Sequence, residues 1–447
     1  MSLKRALGPF DATMVVIGGI IGTGIFVNPY IVARILNSTP LVLAAWITGG
    51  LVAIAGAFAY AELGQQQPQA GGPYVYLRDA WHPLVGFLYG WALLLMIEAG
   101  AMAAVALNFA RYALRLVGQP EANLTVIAAA AIVLLTIVNY IGVKPGSRVV
   151  NASVLLKVAA LAVLIMFAWW GHASTHWWTE TREGAPSGAL AFGAALIPIL
   201  FAYGGWQKVT TVAEEMRDPR RDLPRSLIIG TLIVIAIYVL ANIAYLRTLG
   251  LSGLAGTETP AASVAGLWLG ATGARFISAT IAISTFGFLN LSILASPRVY
   301  FAMARDGAFF PALARLHPRF QTPGTAILLQ SAWALLLLVT GKYEDLLNTV
   351  VFADWVFFGL TVAGLFLLRR RFAGRVGFRT PGYPWLPAAF VLVAVSVVFS
   401  AIRTAPARSA IGAGLLALGV PVYYWFKRST APSATTDPPP PNGPMAQ

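Results

Sequence analysis

The sequence predicts an all-α polytopic membrane protein: twelve transmembrane helices, built as two inverted five-helix halves followed by two further helices. Three observations carry this. Of 447 residues 58% are apolar and only 11% charged, far more apolar surface than a soluble domain of this size needs. Apolar runs of about 20 residues recur along the chain, the length that crosses a hydrocarbon core ~30 Å thick. Two of those runs, the first and the sixth, are interrupted by glycine and proline at matching places.

In order, the expected spans are 12–36, 41–64, 83–113, 124–142, 149–170, 190–214, 226–249, 272–303, 324–340, 346–368, 386–403 and 408–426. The third and eighth are long and should be tilted. The first run is too long and too rich in glycine for a cleaved signal peptide, and the next span begins within a few residues. Residues 1–428 read as one transmembrane domain, with repeats at about 12–170 and 190–368 and extra helices at 386–426. Residues 429–447 are proline-rich and poor in apolar side chains, which predicts a disordered tail.

The net charge of +14 is no sign of nucleic acid, because membrane proteins collect Lys and Arg in cytoplasmic loops. With the N-terminus inside, cytoplasmic segments hold 20 of the 31 Lys and Arg and the opposite side 9, with Lys157 and Lys208 inside spans. Both termini are therefore expected in the cytoplasm. The chain has no cysteine, which excludes disulfides, thiolate chemistry and Cys-ligated metal. The histidines (82, 172, 176 and 317) fall in loops or at span ends without ligand spacing, so no metal and no cofactor are expected. No nucleophile–base constellation lies at membrane depth and no phosphate-binding G-x-x-x-x-G-K-[ST] loop exists, which disfavours an intramembrane enzyme and a primary pump.

The first interrupted span reads MVVIGGIIGTGIFVNP (14–29) and the sixth LIPILFAYGGWQKVTTVAEE (196–215). They occupy corresponding positions if spans one to five and six to ten are two copies of one unit. Five is odd, so the second copy starts from the opposite face. Paired interruptions of this kind point to a transporter's binding site. Unwound backbone at the midplane is tolerated only where it is buried in protein or lines a cavity. There a half-helix N-terminus attracts an anion and freed carbonyls attract a cation. A ligand with both charges a few ångströms apart is an α-amino acid. The plainer alternative is glycine serving close helix packing; the paired break favours the site.

Five stretches resemble the amino acid–polyamine–organocation superfamily, and within it bacterial relatives of the L-type amino acid transporter light chains. They are FDATMVVIGGIIGTGIFVNP (10–29), AYAELGQQQPQAGGPYVYLRDA (59–80), FAYGGWQKVTTVAEEMRDPRRDLPRS (201–226), SPRVYFAMARDGAFFPALARLHPRFQTP (296–323) and FADWVFFGLTVAGLFLLRRR (352–371). The resemblance covers about residues 7–427 and implies a LeuT-like 5+5 inverted repeat, with alternating access around helices one and six. It implies an amino acid substrate, most simply a neutral one, carried by sodium-independent exchange or uniport in a bacterial-type inner membrane. Carried over residue by residue, the carboxylate would lie on amides around Gly22, Thr23 and Gly24. The amine would meet carbonyls near Ile20, Phe201, Ala202 and Gly204, with Phe201 as an aromatic gate. The eukaryotic light chains join a heavy chain through a cysteine; with none here, no disulfide-linked partner is expected. GGWQK departs from the asparagine and aromatic often found there.

Ionisable residues inside spans are costly, at least ~2.5–3.5 kcal/mol for a central lysine, and so are functional candidates. Lys157 lies roughly 10 Å deep at ~1.5 Å per residue, long for snorkelling. It is expected to bridge backbone near Gly19 to the hydroxyls of Ser284 or Thr285. The resemblance puts Tyr238 close to it. For Glu98 three readings stay open: proton coupling, selection of cationic side chains, or pairing with a neighbour. Lys208 is expected to face the cytoplasmic vestibule. Glu214, Glu215 and Asp218 are expected to form a solvated cluster with nearby arginines, and Asp354 to act as a gate or a helix pairing. A proton-coupled symporter, or a carrier of polyamines or cationic amino acids, is the competing function.

Overall fold

The computed structural model describes residues 3–119, 123–170, 174–182, 188–340, 343–373, 377–404 and 406–429, and for 271, 340, 343–352 and 429 the backbone alone. His172, Lys342 and the expected tail beyond Ser429 lie outside the described residues. The chain is an all-helical membrane protein. Among the described residues eight helices are long and apolar enough to cross a membrane, and Leu124–Tyr140, Ala189–Ala202, Pro260–Leu269 and Gly324–Val339 are shorter apolar helices.

The first span is two helices. α1 (Pro9–Ile20) starts on Pro9, whose missing N–H costs nothing at that position, and Asp11 accepts the Gly8 amide at 3.0 Å. It ends at Ile20, and α2 (Gly24–Ile35) begins after the break at 21–23. Next come α3 (Thr39–Gln66) and a short α4 (Pro73–Ala80) that the hydropathy pattern did not single out. α5 (Pro83–Leu116) carries a π-helical turn at Leu93–Ile97, directly before Glu98. Such turns often mark functional sites, and periodicity alone did not reveal this one.

α6 (Leu124–Tyr140) and α7 (Val143–Trp170) complete the first half. α8 (Ala189–Ala202) then stops, and after turns at 203–207 a four-residue helix α9 (Lys208–Thr211) continues the path. The interruption falls at FAYGGW as expected, but α9 is far shorter than a half-span. α10 (Pro219–Ala255) lies along α3, α1 and α7. After α11 (Pro260–Leu269), α12 (Ala271–Ala295) packs on α5 and α7 and is separated from α13 (Pro297–Arg305) at Ser296. The chain ends in α14 (Gly324–Thr340), α15 (Tyr343–Arg371), α16 (Trp385–Thr404) and α17 (Pro406–Ser429).

The two broken helices touch backbone to backbone. A Cβ on Gly19 would stand 2.4 Å from the Gly205 carbonyl oxygen, and one on Gly205 would stand 2.0 Å from that of Gly19. Gly205 also has φ +106, which side-chain-bearing residues avoid. Asn28 of α2 adds a second tie, donating to the Pro198 carbonyl in α8 at 2.6 Å.

One expectation about charge is corrected. Glu215 is fully buried, and Arg298 of α13 holds it with two bonds of 2.9 and 3.0 Å. It is not a solvated pair with a sequence neighbour. Glu214 pairs with Arg305 at 3.1 Å, also from α13.

Gly205→Ala should remove most folded protein, since the contact it meets is backbone and cannot turn aside; overpacking costs ~1–3 kcal/mol before the φ penalty. Gly193→Ala is the control, because nothing lies within 4 Å of that position. Melting temperatures in detergent should fall steeply for the first variant and hold or rise for the second.

Candidate functional site

The two breaks face a common cavity of about 340 Å³. Ile20, Gly22, Thr23 and Gly24 border it from the first break, and Phe201, Ala202 and Gly204 from the second. All seven residues expected to meet the substrate thus share one void. Glu98 and Thr285 border it too. Phe201 is half exposed, and aromatic side chains of Phe288, Trp355 and Phe358 add to the wall. Trp206, within the second break, stacks on Phe358 at 5.8 Å.

Lys157, Ser284 and Tyr238 stand behind this wall, on the carbonyls that the first break frees. The Lys157 side chain is wholly buried and its ammonium donates to the carbonyls of Gly18, at 3.3 Å, and Ile21. Ser284 donates toward Ile21 and Gly22, both at 3.4 Å. The Tyr238 hydroxyl lies 3.0 Å from the Ile20 carbonyl and 3.1 Å from that of Ala202, so one proton serves both broken helices. An unpaired carbonyl in hydrocarbon costs several kcal/mol, so these three side chains allow the helix to be interrupted where it is.

Lys157 meets Gly18 and Ile21, on either side of Gly19, and reaches α12 only through the Ile21 oxygen it shares with Ser284. Thr285 returns its hydroxyl to Ile281 and Ala282 of its own helix, at 2.8 and 3.0 Å, and takes no part in this bridge. Tyr238 holds the neighbouring Ile20 carbonyl.

The first turn of α2 opens on the cavity at Thr23 and Gly24, and the amides of a first helical turn have no intrahelical partner. The positive end of the α2 dipole lies at that turn. Gly24 also faces α8: a Cβ there would lie 2.9 Å from the Ala202 Cβ, so any larger residue pushes the two helices apart.

Lys208 is placed differently from the sequence expectation. It does not face a vestibule. It is 7% exposed, borders the cavity, and donates to Glu98 at 2.6 Å and to the Ser292 hydroxyl at 2.9 Å. Its ammonium sits 4.7 Å above the Phe288 ring. Of the three readings of Glu98, pairing with a neighbour is therefore realised. Asp354 of α15 borders the same cavity. Each of these ions was visible as a costly residue in an apolar span; that they converge was not. Among the described residues no group of three His, Cys, Asp or Glu is placed to hold a metal ion.

Two facing helix breaks around a cavity inside a membrane bundle define a transporter, not an enzyme. The family profile described as amino acid permease matches residues 7–426, and the chain belongs to that family. It is 33% identical to the serine/threonine exchanger SteT of Bacillus subtilis, over 96% of this chain and 98% of that one. It is likewise 33% identical to the large neutral amino acids transporter small subunit 2 of Homo sapiens, over 95% of this chain and 81% of the relative. The human cystine/glutamate transporter is 29% identical over 95% and 86%.

Removing one member of a buried ion pair strands the other, at ~3–5 kcal/mol, whereas replacing both with apolar residues is often neutral. Glu98→Leu should therefore lower the melting temperature sharply, and Glu98→Leu with Lys208→Met should recover most of the loss.

Proposed function

We propose that the chain is a secondary active transporter that moves amino acids across the membrane by alternating access, through sodium-independent exchange or uniport. The substrate's carboxylate lies on the first turn of α2 around Gly22, Thr23 and Gly24, and its amine meets the carbonyls of Ile20, Phe201, Ala202 or Gly204. The fold in this reading is the LeuT-like 5+5 inverted repeat with twelve spans, both termini cytoplasmic, and residues 1–428 as one transport domain. One observation carries it: the residues expected from the two breaks all border a single cavity. Its relatives' names, an exchanger of serine and threonine and a carrier of large neutral amino acids, support the neutral class and the exchange mode. A second reading, a proton-coupled symporter or a carrier of cationic amino acids or polyamines, is favoured by the carboxylates of Glu98 and Asp354 on the cavity wall.

Lys157 holds the carbonyls of the first break and is protonated through at least part of the cycle, so that no metal ion is needed there. Uptake into proteoliposomes loaded with amino acid should thus be equal in Na⁺ and in choline buffer. Lys157→Ala leaves the Gly18 and Ile21 carbonyls short of a donor and should slow exchange more than it weakens binding. Wild-type transport that collapses in choline, or a mutant exchanging at the wild-type rate, would overturn this role.

Phe201→Ala should cut transport at least tenfold while leaving the melting temperature within a few degrees, because the ring is half exposed at the cavity and contributes little to packing. Normal uptake by that variant would remove the gate assignment.

A further inference from the structure

The side-chain end of the cavity is unevenly supplied with charge. Its charged lining residues are Glu98, Lys208 and Asp354, two acids and one base. The base is already occupied: its ammonium has Glu98 at 2.6 Å, Ser292 at 2.9 Å and the Phe288 face at 4.7 Å. The acids are not. Glu98 is only 5% exposed, yet its second carboxylate oxygen, Oε2, has no hydrogen-bond partner. Such an orphan costs roughly 1–3 kcal/mol, and more for a charged group, unless a ligand satisfies it. Asp354 comes from the opposite helix, α15, within Coulombic reach of both Glu98 and Lys208, and its carboxylate makes no hydrogen bond or ion pair among the described residues.

Among the lining residues the Glu98–Lys208 pair cancels, and Asp354 is the carboxylate left without a partner; Lys157 stands behind the first break, on its carbonyls. The amine and carboxylate ends of an amino acid are matched at the breaks. What Asp354 lacks is a cation that also donates hydrogen bonds. We propose that Asp354 forms a subsite for a cationic substrate side chain, an ammonium or guanidinium, so that the transporter prefers L-arginine and L-lysine to uncharged amino acids of the same shape. Lys208 is a positioning residue in this arrangement. It pairs with Glu98 and so leaves Asp354 as the unpaired carboxylate on the cavity wall. The wall that completes the subsite suits the aliphatic stem and the charge together, since Trp355 and Phe358 flank Asp354 on the cavity surface and aromatic faces attract cations.

This inference rests on the amino acid transport proposed above, and the test separates the two. Purified full-length protein in proteoliposomes is given L-arginine against L-citrulline, and L-lysine against L-norleucine, as competitors of labelled uptake. Each cation should compete roughly tenfold or more better than its neutral isostere, the scale of one charge-assisted hydrogen bond. Asp354→Asn keeps the shape and removes the charge, and should bring both ratios close to one. Asp354→Glu, which restores the charge, should recover part of them. Because the readout is a ratio within one preparation, a general loss of folded protein does not move it. A wild-type ratio near or below one, or a ratio unchanged by Asp354→Asn, overturns the subsite while leaving amino acid transport standing. So does uptake of neutral amino acids that carries a proton in with each molecule, since the proton then supplies the missing charge. Failure of all four amino acids to bind, or putrescine competing as well as L-lysine without any carboxylate, overturns the amino acid reading itself.

Discussion

Everything at the centre of this molecule depends on two interrupted helices meeting through bare backbone at Gly19 and Gly205. A membrane helix satisfies its own amides and carbonyls, and interrupting it exposes groups that lipid cannot satisfy. Bringing two interruptions together makes one protected interior in which those groups are used. The carbonyls of Gly18, Ile20, Ile21, Gly22 and Ala202 are met by an ammonium, a phenol and a hydroxyl from α7, α10 and α12. The amides at the start of α2 are left on the cavity side. Side-chain donors therefore sit behind the break, and the amides of the α2 terminus lie in front of it.

The two buried lysines solve the same problem in different ways. Lys157 has only neutral carbonyl partners, so any charge it carries at the back of the first break goes without a counterion. Lys208 has a carboxylate, and the Glu98–Lys208 pair brings no net charge. The difference comes from what each residue faces. Lys157 points at the end of α1, where the aligned carbonyls of a helix C-terminus already form a weak negative pole. Lys208 borders an apolar and aromatic cavity that offers no such pole, and only an ion could hold it there.

Much of this was legible in the sequence. Length and hydropathy gave the helices, and the glycine-rich runs at 18–24 and 204–205 gave both breaks, because a lipid environment leaves few other uses for such backbone. The seven residues carried over from the family pattern share one cavity for the same reason. What could not be read was pairing between distant elements. Lys208 looked like a vestibule residue because the span was drawn straight through it to residue 214, whereas the helix resumes at 208 for a single turn and brings the side chain back to Glu98. The π turn that precedes Glu98 has no signature in hydropathy, and it shifts the phase of every later residue in α5. Arg298 did not stand out, because nothing local distinguishes an arginine that will be buried against Glu215.

That last pair bears on how the molecule moves. Glu215 and Arg298 are wholly buried, so separating them without water would cost on the order of 3–5 kcal/mol. The Glu215 carbonyl also accepts the amides of Ala6 and Leu7, and the Arg217 amide donates back to Leu7. Leu7 is two residues before α1, and Glu215 is four residues after α9. The outer end of the first broken helix is thus sewn to the segment beyond the second, just as their centres are joined at Gly19 and Gly205. Two ties a full half-helix apart fix both the distance and the angle between the two paths. Opening this end of the protein by sliding one broken helix past the other would break both ties, each of them backbone on backbone. Moving the two together breaks neither and asks only Arg298, on α13, to go with them or to let go. The geometry therefore favours a single body made of both broken helices, rocking against the helices that carry Glu98 and Asp354, with the cavity between the two bodies.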